Sequence, residues 1–217
     1  MISTRDLSGL PDVDHLRRLM HSLAVLDAIL SPEWESRYFS FNSRWSPGEQ
    51  MGSMRNGQGD HYFALFNSAG CWLKGFDHEA PMTPFASDPP KLVAGVFDGV
   101  PAEFNACLTE PAFVTDETTF CVWRRHADPE WHHGAVNYPV GERDPDGSAG
   151  LLRYLNGRPQ TYREWAEKYY EREVPLALVR SIYAHEPLNE QLVRGLNADV
   201  SLSEMTADIE EIGYPLK

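Results

Sequence analysis

The run GQGDHYFALFNSAGCWLKGFDHE, residues 57–79, decides the fold. HYFALF (61–66) and CWLKGF (71–76) are two short aromatic-rich stretches, and the turn formers Asn67-Ser68-Ala69-Gly70 separate them. This pattern predicts a β-hairpin. Side chains alternate across a strand, so Tyr62, Ala64 and Phe66 share one face and Phe63 and Leu65 the other. Both faces are apolar, which predicts a strand covered on two sides and central in its sheet. The strand ends are polar instead. Asp60-His61 leads in and Asp77-His78-Glu79 leads out. A hairpin sets its strand ends side by side, so these groups should converge on one rim.

Working toward the N-terminus, residues 44–60 carry Gly48, Gly52, Gly57 and Gly59 and read as a long connection. Gly52 and Gly57 have the P-loop gap, but Gln58 and Gly59 stand where a lysine and a hydroxyl are needed. RYFSFNS (37–43) reads as a strand. Leu16, Leu19, Met20, Leu23, Leu26 and Leu30 recur at helical spacing after a capping Asp12, and Ser31-Pro32 ends that helix.

Working toward the C-terminus, four prolines in 80–91 exclude regular structure. LVAGVF (92–97) reads as a strand or a buried turn and is counted in the sheet, DETTFCVWRR (116–125) reads as a strand, and a short helix lies between them at 101–108. Residues 126–150 are polar and rich in Pro and Gly. Beyond them helices are predicted at 151–155, 162–171, 174–184 and 188–196, and a capping box at Ser201 and Glu204 opens a last one. The expected fold is α+β. An antiparallel sheet of about five strands packs with an N-terminal helix within residues 1–150, and 151–217 form a helical C-terminal region in the same or a second domain.

Composition narrows the function classes. The 217 residues include 19 Lys/Arg against 32 Asp/Glu, for a net charge of −13. No basic cluster of the kind a phosphate backbone requires is present, which argues against nucleic acid as a partner. No run approaches the roughly 20 apolar residues that span a bilayer, and the N-terminus lacks signal-peptide character. Cys71, Cys107 and Cys121 are widely spaced and odd in number, as expected of buried thiols in a cytoplasmic protein.

The candidate chemistry centres on the rim. Asp60, Asp77, His78 and Glu79 could join His126, His132 or His133 around a divalent metal, if three or four converge at the roughly 2.0–2.2 Å that zinc requires. Asp60, His78 and Glu79 are then the catalytic candidates of a metal-dependent hydrolase. No HExxH or GxSxG motif supports this, and no cofactor is expected otherwise. Trp72, Trp123 and Trp165 lie in regular elements and belong to the core. Trp45 and Trp131 lie in polar loops, and with Arg55 they are the contact candidates for a protein partner, because interface anchors are often Trp, Tyr or Arg.

The order Gly59-Asp60, strand, Asn67-Ser68-Ala69-Gly70, strand, Asp77-His78, then a helix with Phe104 and Leu108, resembles the SMI1/KNR4-like (SUKH) bacterial immunity and regulatory domains over residues 57–110. The resemblance implies an α+β protein that acts by binding a partner. The chain as a whole looks like one of the uncharacterised bacterial conserved-hypothetical families, which implies no function. The leading expectation is a non-enzymatic protein-binding module of the bacterial cytoplasm. The metal-dependent hydrolase is the alternative, and a small-molecule binder with 44–60 as its lid is the third.

Overall fold

The computed structural model describes residues 1–217. The carboxylate of Asp12 accepts the His15 backbone N–H at 2.9 Å, and the first helix, α1 (Val13–Leu30), starts there as predicted. It stops at Ser31, ahead of Pro32. From Ser22 to Leu30 every residue is buried. This second half of the helix is therefore covered all round, by the sheet on one side and by C-terminal helices on the other, while Asp14, His15 and Arg18 leave the first half exposed on one side.

The sheet has six antiparallel strands in sequence order: β1 (Phe39–Ser46), β2 (Glu49–Arg55), β3 (His61–Phe66), β4 (Gly70–Phe76), β5 (Phe120–Arg125) and the two-residue β6 (His132–His133). The predicted hairpin is β3–β4, with Leu65 opposite Trp72 and His61 opposite Phe76. The face bearing Tyr62, Ala64 and Phe66 packs on α1. The face bearing Phe63 and Leu65 packs with Trp72, Cys121 and Trp123 under Val96, Phe104, Cys107 and Phe113.

Three expectations need correction. Residues 44–60 are not one long loop: β1 runs on to Ser46, turns tightly through Gly48, and returns as β2. Only residues 56–60 remain as a connection, which removes the lid expected of a small-molecule binder. Gly52 and Ser53 hide the alternation of β2. Gly52 is needed because α1 presses there, and a Cβ at that position would lie 2.8 Å from Met20 Sδ. Residues 92–97 form turns instead of a strand, since Val93 and Val96 are apolar in order to lid the second sheet face. The strand expected at 116–125 starts at Phe120, because Thr118 and Thr119 turn their hydroxyls onto the carbonyls of Thr115 and Asp146.

The C-terminal helices are α2 (Ser148–Leu152), α3 (Pro159–Tyr169), α4 (Leu176–Tyr183), α5 (Glu190–Leu196) and α6 (Thr206–Ile212). Glu204 accepts from both the N–H and the hydroxyl of Ser201, but this box closes a turn and α6 starts two residues later. Leu152, Tyr162, Val179, Val193 and Ile209 share one core with α1 and the first sheet face. Asp27 ties these layers together. It is fully buried, accepts the backbone N–H groups of Tyr38 and Phe39 at 2.9 and 2.7 Å, and takes the Tyr162 hydroxyl at 2.7 Å. No helix is long and apolar enough to cross a membrane.

Candidate functional site

The His61–Phe76 pairing sets Asp60 and Asp77 side by side at one end of the hairpin. Asp60 Oδ1 receives the His78 backbone N–H at 3.0 Å and His78 Nδ1 at 2.6 Å, and Asn56 Nδ2 donates to Asp60 Oδ2 at 2.6 Å. Burial works to raise the Asp60 pKa, but these donors outweigh it and hold the carboxyl below its ordinary value. His78 is raised by its hydrogen bond to Asp60. Asp77 is raised by burial and then by the neighbouring Asp60 charge. Glu79 is exposed, 4.0 Å from His78 Nε2.

One potential ligand atom from each of Asp60, Asp77 and His78 lies within 4.8 Å of the others. The three remaining metal candidates are elsewhere. His126 follows β5, which runs antiparallel to β4, so it sits by the hairpin turn with its N–H on the Ala69 carbonyl. His132 lies opposite Trp123 in β6, 3.7 Å from Asp128. His133 lies opposite Val122 and pairs with the Gly134 carbonyl. The rim therefore offers three metal ligands, two of which already satisfy each other.

The contact candidates also separate. Trp131 is buried, and its indole N–H donates to the Pro11 carbonyl at 2.7 Å. Trp45 is half-buried and stacks on Phe113 at 5.9 Å. Both are structural lids over apolar layers, and Trp45 lies in β1 and not in the loop its polar neighbours suggested. Arg55 alone is exposed. Its guanidinium lies over the Trp34 ring at 5.8 Å and the Phe63 ring at 5.3 Å. It helps line a cleft of about 180 Å³ with Trp34, Tyr38, Ser40, Ser53 and Tyr169. Arg37 and Glu35 are also on its wall.

Two residues that sequence reasoning passed over matter here. Trp34 is 56 % exposed, and it sits in a single turn of 3-10 helix (Trp34–Ser36) that hydropathy does not mark. Lys74 is completely buried in β4. Its ammonium contacts His61 Nε2 at 2.9 Å, the Val114 carbonyl at 3.1 Å and the Glu117 carbonyl at 2.5 Å. Burial pushes its pKa down to about 7, while burial and then the Lys74 charge push His61 down to about 4. A lysine between Trp72 and Phe76 on a strand covered on both faces was the available signal, since such an ammonium must find acceptors. The cysteines offer no nucleophile: all three are buried, and burial raises their thiol pKa values.

Compared with protein-family models, with curated proteins and with solved structures, the chain matches none.

Proposed function

We propose that this chain is a non-enzymatic protein-binding module whose contact surface is the Arg55 cleft. One observation carries the reading. Trp34 and Tyr169, 56 % and 43 % exposed, line the same cleft as a guanidinium that has no carboxylate partner. Trp, Tyr and Arg are the residue types that dominate interface energetics, and a large aromatic left in water is a cost that a partner removes. The resemblance of residues 57–110 to SMI1/KNR4-like domains points the same way, toward partner binding in an immunity or regulatory setting.

The test replaces Trp34, Tyr169 or the fully exposed Val140, which does not line the cleft, with a photo-crosslinking amino acid in cells. A discrete adduct shared by the two cleft positions and absent at Val140 is the expected result. Identical adducts at all three positions, or none at the cleft, would sink the reading.

A second reading is a metal-dependent hydrolase at the rim, and the convergence of Asp60, Asp77 and His78 favours it. A bound metal would have to break the hydrogen bond between His78 and Asp60 or use the outward Nε2. Zinc titration followed by calorimetry, with His78→Ala as the control, checks it. Heat of binding that the variant abolishes supports this reading, and equal traces remove it.

A further inference from the structure

The wall of the cleft holds two cations, Arg37 and Arg55, and one acid, Glu35, in a chain of net charge −13. Arg55 and Lys74 both lie on the Phe63 ring, at 5.3 and 5.5 Å, and neither makes an ion pair. The Lys74 ammonium has its three donors committed to His61, Val114 and Glu117. Arg37 is committed too, in a two-pronged contact with Asp208 at 2.5 and 3.0 Å. Arg55 is therefore the cation of the cleft whose donor fork is free. Below it the Ser40 and Ser53 hydroxyls are 2.7 Å apart. One hydroxyl donates to the other, which leaves one O–H uncommitted on the cleft wall. The cleft thus presents donors that want an acceptor, between aromatic walls.

We infer that the cleft captures a carboxylate of an acidic peptide segment, with an adjoining apolar residue against Trp34 and Tyr169. The inference rests on the reading of this cleft as the contact surface. A singly charged carboxylate matches one free fork. A doubly charged phosphate fits worse, because Glu35 on the same wall adds negative charge and no second free cation balances it. Arg55 is exposed, so an anion can reach its free fork from solvent.

The experiment selects a displayed library of random linear peptides on the whole protein. Recovered peptides are then titrated by fluorescence anisotropy against wild type, Arg55→Ala, Arg55→Lys and Trp34→Ala, with circular dichroism confirming each fold. The expected peptides carry Asp or Glu beside an apolar residue. Their affinity should fall about tenfold or more in Arg55→Ala, as losing a charge-assisted hydrogen bond implies, and fall less in Arg55→Lys. Changing the peptide acid to its amide should match the Arg55→Ala loss.

Peptides that need Trp34 but ignore Arg55 would overturn the carboxylate inference and leave the contact surface standing. A phosphorylated counterpart that binds more tightly than the carboxylate would overturn the choice of anion. Recovery of no peptide, or only of peptides indifferent to both residues, would overturn the inference and the contact surface together.

Discussion

Asp27→Asn tests the account of how the layers are joined. Asp27 is fully buried, and the environment raises its pKa from 3.8 to about 6. Burial is the main cause, opposed by the hydrogen bonds from Tyr162, Phe39 and Tyr38. The folded chain holds this proton more tightly than the unfolded chain does. The stabilisation is complete below pH 3.8 and is lost as pH rises through about 6. In full it amounts to about 3 kcal/mol, of which about 2 kcal/mol falls between pH 4 and pH 7. Asparagine does not titrate. Its oxygen can accept the Tyr38 and Phe39 N–H groups, and its amide can donate to the Tyr162 hydroxyl with the roles reversed. Urea unfolding at the two pH values gives the double difference, in which the other carboxylates cancel. Asp27→Asn should gain about 2 kcal/mol on wild type from pH 4 to pH 7. Parallel curves would show that Asp27 titrates alike in both states and would refute the reasoning. Asp27→Ala separates charge from hydrogen bonding. It strands two buried N–H groups and should cost about 3 kcal/mol or more at either pH.

Lys74 should give the opposite slope. Its folded pKa is lowered from 10.5 to about 7, so the unfolded chain binds more protons in that window and wild-type stability rises with pH. Denaturation at pH 7 and pH 9 should show wild type gaining about 2 kcal/mol relative to Lys74→Met; equal gains would place the ammonium in water. At the rim, an NMR titration should find His78 protonated at higher pH than an ordinary histidine, with Asp60→Asn returning it to the ordinary range. A His78 midpoint unmoved by Asp60→Asn would dissolve the pair.

The parts legible in the sequence were those fixed by local chemistry. The hairpin was legible because both its alternation and its turn formers lie within a short stretch, and α1 because Asp12 and Ser31-Pro32 bound a long apolar period. β2 was not. Gly52 lacks a side chain because Met20 of α1 needs the space, and that reason lies more than thirty residues away. The 92–97 run shows the converse. A short apolar stretch records burial alone, and here the burial is against Phe104 and Trp123 without strand pairing.

The candidate site divides in the same way. The convergence of Asp60 with Asp77 and His78 follows from hairpin pairing and was legible. The distance of His126 was not: with a strand expected at 92–97, a meander would run 116–125 back toward the rim, whereas without that strand β5 pairs directly with β4 and carries His126 to the turn end. Trp131 and Arg55 show what pattern reading could not reach. Both sit in polar stretches, yet Trp131 has a carbonyl for its N–H and a core for its ring, whereas Arg55 has rings on two sides and no acid. Residue type alone made them equal candidates. Hydrogen-bond satisfaction separates them: the tryptophan has everything a buried indole needs, and the guanidinium retains donors that the folded chain leaves for something else.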